Sequence, residues 1–107
     1  MQCKVKYSPE FQNDLDKIWE YIALELSNLS AADDIVSGLL DVTEKLYENP
    51  QAGRRIFLPG GMESGYRFVI YKQYLAIYCI REKDVLVLRA VHTLQDYIRT
   101  IITNKFI

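Results

Sequence analysis

Histidine and cysteine are scarce in this sequence: one His and two Cys among 107 residues leave little material for metal chemistry. Cys3 and Cys79 are too few for a disulfide framework, and their spacing fits no zinc motif. Neither a structural metal nor a cofactor is expected. Both cysteines lie in strand-like runs and read as buried, reduced thiols, which points to a cytoplasmic protein. Long apolar runs are absent too. Nothing approaches the ~18 consecutive apolar residues of a membrane span, and the opening Met1-Gln2-Cys3-Lys4-Val5 has no apolar stretch of the kind a secretory signal needs. No membrane is expected among the partners. There are no internal repeats and no low-complexity segments. Residues 50–65 hold four glycines and two prolines but lack the Lys and Thr of a phosphate-binding loop. This stretch reads as a connecting loop, with Ile56-Phe57-Leu58 at most a short extended piece that Pro59-Gly60-Gly61 ends.

Half of the residues are apolar and a quarter are charged, the ordinary balance of a soluble globular protein. At this length residues 1–107 form one domain with a single core. The net charge of −1 hides an asymmetry. Residues 1–53 carry four cations against ten acids, a balance of −6, and residues 54–107 carry nine against four, a balance of +5. Two readings stand: solvated surfaces of opposite sign, or a basic C-terminal face that meets nucleic acid or an acidic protein segment.

The run from Gln2 to Tyr7 alternates, with Cys3, Val5 and Tyr7 on one face, as a half-buried strand does. Ser8-Pro9 supplies an N-cap and a proline at the first helical position. Phe11, Leu15, Ile18, Trp19, Ile22 and Leu26 then repeat at spacings of three and four, giving one apolar helix stripe. Trp19 falls on that stripe and is expected in the core. Ser30 followed by Asp33 resembles a capping box, opening a second amphipathic helix that Asn49-Pro50 ends. Three strand-like runs come next, Gly65–Tyr71, Tyr74–Tyr78 and Val85–His92. Their breaks are short enough to demand antiparallel hairpins. Thr93 and Asp96 resemble a further cap, and Leu94, Tyr97, Ile98, Ile101 and Ile102 fit a terminal helix.

The expected fold is α+β in the order β-α-α-β-β-β with a C-terminal helix. A small antiparallel sheet is covered on one face by the N-terminal helical hairpin, and its opposite face is left open.

Element by element, the chain resembles the RelE/ParE superfamily of toxins from bacterial type II toxin–antitoxin modules. The elements are Tyr7-Ser8-Pro9 at the first strand's end, Tyr21-Ile22-Ala23 late in the first helix, and Leu46 with Asn49, Pro50 and Gly53 after the second. Tyr66-Arg67 with Tyr74 and Tyr78 follows, and then Arg89-x-Val91-His92 with Asp96-Tyr97. The long Tyr66–Tyr78 segment and the Arg89 to Tyr97 ending look more like the ParE, or plasmid-stabilisation, branch. That resemblance implies a toxin neutralised by a cognate antitoxin in a hetero-oligomer and acting on DNA gyrase by protein binding. The alternative it implies is a RelE-like endoribonuclease that cuts mRNA on the ribosome. A third class is an inactive relative that acts only in an antitoxin-bound repressor complex.

For the nuclease alternative the candidate catalytic set is Arg67, Arg89, His92 and Tyr97. The arginines supply charge to the scissile phosphate, His92 supplies a base or acid, and Tyr97 supplies a proton. Against it stand a pI near 5.8, the uncharged Thr93-Leu94-Gln95 after His92, and Glu44 and Glu48 where a lysine cluster would serve RNA. The expected partner-binding residues are Arg67, Tyr71, Tyr78 and Arg89, set against an antitoxin segment that offers acidic and apolar side chains. Each has a plain structural alternative. The arginines pair with Glu63 or Asp96, worth ~0–1 kcal/mol at a surface. Tyr66, Tyr74 and Tyr78 are core or rim aromatics, and His92 caps the helix that follows it.

Overall fold

The computed structural model of the protein describes residues 3–92. The expected C-terminal helix and Tyr97 lie outside those residues. Strand β1 (Val5–Tyr7) leads into helix α1 (Pro9–Glu20), a π turn (Tyr21–Glu25), helix α2 (Leu29–Glu44) and a 3₁₀ turn (Lys45–Tyr47). Strands β2 (Arg54–Phe57), β3 (Glu63–Tyr71), β4 (Tyr74–Arg81) and β5 (Asp84–Val91) complete the domain. The sheet order is β1-β5-β4-β3-β2.

The last four strands are antiparallel neighbours, as their short connections require. The sheet as a whole is mixed, because β1 pairs parallel to β5, with Val5 opposite Val85 and Tyr7 opposite Val87. The two helices lie between β1 and the rest, so the chain can return alongside its first strand in the same direction. Within the expected loop, Arg54–Phe57 is a strand, paired through Arg54 with Phe68 and Arg55 with Arg67.

Ser8 caps α1 with its hydroxyl accepting from Phe11 N–H, and Pro9 sits at the first helical position. The cap of α2 is Asn28, accepting from Ala31 N–H, and not Ser30. The cause is the π turn. Leu26 N–H donates to Tyr21 C=O and Asn28 N–H to Ile22 C=O, so the helix unwinds with longer rings than 3.6-residue periodicity assumes. The same slip carries Leu26 off the buried stripe and into solvent.

Phe11, Leu15, Ile22, Ala32, Ile35 and Leu39 of the hairpin pack on Tyr74, Ala76, Tyr78, Val85 and Val87 of the sheet. Full burial of such a side chain contributes about 1.5–3 kcal/mol. Trp19 is half-buried and ties the helices together by donating its indole N–H to Asp33 at 2.9 Å. The sheet face away from the helices is not open: Ile56, Phe68, Leu75, Ile77 and Val91 form a second buried cluster there. Among the described residues no helix is long and apolar enough to cross a membrane.

Candidate functional site

The two arginines that stood out in apolar strands have separate intramolecular partners. Arg67, opposite Tyr78 in the β3–β4 register, donates to the carbonyls of Gln51 and Gly53 at 3.1 and 3.0 Å. Tyr78 is fully buried. Its hydroxyl donates to Pro50 C=O at 2.7 Å and accepts from Gly53 N–H at 2.9 Å. Arg67 and Tyr78 together sew the 50–53 turn onto the sheet. Gly53 must be glycine there. A Cβ would sit 2.5 Å from the Tyr78 hydroxyl and 2.7 Å from the Phe68 carbonyl oxygen, closer than atoms can approach.

Tyr78 was expected on the partner-binding surface, and this geometry corrects that. A mid-strand tyrosine with no exposed surface and both hydroxyl positions used internally offers nothing to a partner. Burial pushes its hydroxyl above the ordinary tyrosine range. A Tyr78→Phe chain should therefore lose about 1–3 kcal/mol, chiefly because Gly53 N–H is left unsatisfied, as read by urea unfolding. The sign of the pH effect follows from the raised folded value. The contribution is whole below pH ~10, the unfolded value, and is lost as pH rises through the folded one. Tyr78→Phe should flatten that alkaline decline, and an unchanged alkaline limb would refute the assignment.

Arg89 reaches the other way, to α1. Its guanidinium grips Asp14 in a bidentate pair, Nε to Oδ2 at 2.7 Å and Nη2 to Oδ1 at 3.0 Å, which raises its already high pKa. Strand β3 carries Arg67 and β5 carries Arg89, with β4 between them, and their side chains are committed to different elements. The two do not form one phosphate clamp.

His92 is exposed at the end of β5, its ring centroid 4.9 Å from that of Tyr74. It borders a groove of about 710 Å³ between the hairpin tip and the β3–β4 turn. Tyr21, Ile22, Leu26 and Ile35 form its apolar wall, and Asn28, Ser30 and Gln73 add polar groups. On the rim, Lys72 and Tyr71 both donate to Asp34, and these bonds, the lysine's foremost, hold that carboxyl below its usual range. Tyr71, another expected partner-binding residue, is half-buried against α2 with its hydroxyl at this rim. Among the described residues no three His, Cys, Asp or Glu side chains are grouped so as to hold a metal ion.

Sequence reasoning missed Asp14, Asp34 and the exposed apolar side chains of the hairpin tip. Leu24 and Leu29 were the available signal for the last, since neither falls on an apolar stripe.

A helical hairpin laid over a mixed sheet in this strand order is consistent with the fold of the RelE/ParE toxins. The chain superposes on the chromosomal ParDE toxin–antitoxin system of P. aeruginosa with a TM-score of 0.70 at 21% identity, over 85% of this chain and 96% of that one. The toxin–antitoxin complex RelBE2 of Mycobacterium tuberculosis gives 0.62 at 17% identity, over 86% and 92%. At these identities the likeness is one of fold. A family model described as the ParE toxin of type II toxin–antitoxin systems, parDE, matches residues 5–97, and the chain belongs to that family. No curated protein sequence matches it.

Proposed function

We propose that this toxin is held inactive by a cognate antitoxin and, when free, arrests growth in the cytoplasm by binding DNA gyrase, with no covalent chemistry of its own. The observation that carries the reading is the engagement of both strand arginines, one on Asp14 and the other on the carbonyls of Gln51 and Gly53. Cleavage through a 2′-hydroxyl needs cations free to meet a phosphate, with a base and an acid in hydrogen-bond reach of the reacting oxygens. Of the described candidates His92 is exposed, whereas Arg67 and Arg89 are half-buried and engaged within the fold. The mildly acidic pI of 5.8 also favours a protein target over structured RNA. For the antitoxin, the support is that the two structural neighbours named above come from toxin–antitoxin systems.

One observation favours the ribosome-dependent endoribonuclease as second reading: the exposed His92 stands beside Tyr74 in an open groove. Induction of the chain alone in a bacterium separates the two. Gyrase poisoning gives lost supercoiling and a DNA-damage response while mRNA stays intact. Rapid loss of translation with cut mRNA overturns it, and no growth effect at all points to a homologue that acts only in a repressor complex. His92→Ala should leave growth arrest within about twofold of wild type. As a catalytic acid or base it would instead cost on the order of 10²-fold or more.

A further inference from the structure

The connection between β2 and β3 projects from the sheet edge as a short arm. Leu58 N–H donates to Met62 C=O at 2.7 Å and Gly61 N–H to Leu58 C=O at 2.9 Å, which closes its turn. Gly60 and Gly61 take φ of +94° and +88°, and a Cβ at either would meet nothing within 4 Å, so the tip stands clear of the body of the protein. At the base the Ser64 hydroxyl donates to Ile56 C=O at 2.6 Å and accepts from Tyr66 N–H at 3.1 Å. Arg55 closes on Glu63 at 3.0 Å and lies over the Phe57 ring, 5.7 Å from its centroid. The arm is therefore held in one shape before any partner arrives, which lowers the ordering cost of binding.

Two large apolar side chains are exposed on it, Phe57 at 53% and Met62 at 69%. From Asn49 to Met62 the chain carries Arg54 and Arg55 and no Asp or Glu. Arg55 has Glu63, whereas Arg54 is exposed and has no carboxylate on it among the described residues. Phe, Met and Arg are side chains that anchor protein interfaces, and charge of this sign calls for an acidic partner. Strand β3 runs from the base of the arm at Glu63 to Tyr71 at the groove rim. At ~3.3 Å per residue the arm lies roughly 26 Å from the groove. A groove receives an extended segment, whereas a rigid projection needs a hollow in a folded partner.

We propose that the β2–β3 arm is the surface by which the toxin grips its target, with Phe57 and Met62 entering an apolar hollow on a folded protein and Arg54 meeting an acidic rim. This rests on the gyrase reading above and deepens it: the partner at the arm is the topoisomerase, not the antitoxin and not RNA.

The full chain is assayed against purified gyrase for inhibition of supercoiling, against the protein encoded by the adjacent gene for binding, and in cells for growth arrest. Phe57→Ser with Met62→Ser alters two exposed positions, so the fold, checked by circular dichroism and melting, stays intact. About 100-fold more of this variant should be needed to inhibit supercoiling, and it should fail to arrest growth, while binding the adjacent gene's protein within about threefold of wild type. Arg54→Glu should weaken inhibition about tenfold and reduce its salt dependence. If wild type arrests growth without touching gyrase, the gyrase reading is overturned, and the arm is judged on arrest, which the serine variant must still lose. A wild type that arrests nothing overturns both. A serine variant that inhibits and arrests within about threefold of wild type removes the arm from the target interface. Loss of binding to the adjacent gene's protein with arrest kept would assign the arm to the antitoxin. Loss of mRNA cutting in place of gyrase inhibition would assign it to RNA, and either outcome overturns the proposal.

Discussion

Asp14→Ala lowers the unfolding free energy by about 2–4 kcal/mol, a large share of the stability of a domain this size. Asp14 does two jobs with one carboxylate. Its side chain is 11% exposed and holds Arg89, itself 25% exposed, in a bidentate pair. It also accepts the Ala90 backbone N–H at 2.9 Å. The second job follows from the sheet's shape. Strand β1 covers β5 only from Val85 to Val87, so beyond Val87 the edge of β5 would be bare. There Ser8 N–H donates to Val87 C=O, the Ser8 hydroxyl donates to Leu88 C=O, and Asp14 receives Ala90 N–H. The start of α1 thus acts as a polar cover for an unpaired edge. Alanine at position 14 strands a guanidinium and an amide together, and stranded partners cost more than the pair was worth.

Two companions divide that loss. Asp14→Asn keeps an acceptor for Ala90 N–H and gives up the charge, so it should fall between wild type and alanine. Arg89→Leu in the Asp14→Ala background removes the stranded cation, and the double variant should be more stable than the sum of the singles by about 1–3 kcal/mol. Urea unfolding measures all four. Additive losses would show that Arg89 and Asp14 do not depend on each other and would return Arg89 to the pool of free cations. Arg89→Lys should destabilise too, because an ammonium cannot reproduce the bidentate fork.

That pair also marks where sequence reading runs out. Strands β3, β4 and β5 are legible because the apolar run of β4 is bounded by two-residue breaks, and Ser8-Pro9 is legible because capping is local chemistry. Strand β2 is not. Two of its four residues are arginines and only Ile56 is buried, so it has no period to read and exists through its pairing with β3. The parallel union of β1 with β5 joins residues 80 positions apart, and nothing local encodes it. The arginines could be singled out as unusual, but what they touch could not. Asp14 looks like Asp16 on the sequence, and only the crossing of α1 over the end of β5 distinguishes them. The exposed hairpin tip was missed in part because Leu26 continues the buried stripe in sequence, and only the π turn carries it into solvent.

Gly38→Ala is the second large effect, and its sign is the informative part. In an ordinary helix this change adds up to about 1 kcal/mol of stability, since alanine is the better helix former. Here it should subtract about 2–3 kcal/mol. A Cβ on Gly38 would lie 2.1 Å from two ring carbons of Tyr71 and 2.5 Å from a third. The ring cannot simply tilt away, because its hydroxyl is bonded to Asp34, one turn back on the same face of α2. Gly38 and Asp34 thus set how closely α2 approaches β3, and with it the width of the groove whose rim Asp34 and Lys72 form. All three close atoms belong to one side chain, so removing that side chain should remove the penalty. Tyr71→Ala alone destabilises by about 2–4 kcal/mol through lost packing. In that background Gly38→Ala should turn neutral or stabilising by up to about 1 kcal/mol. The cycle therefore predicts a coupling of about 3 kcal/mol between two residues 33 positions apart. An equal loss from Gly38→Ala in both backgrounds would mean that the helix rests on the sheet through other contacts and that Tyr71 does not set the spacing.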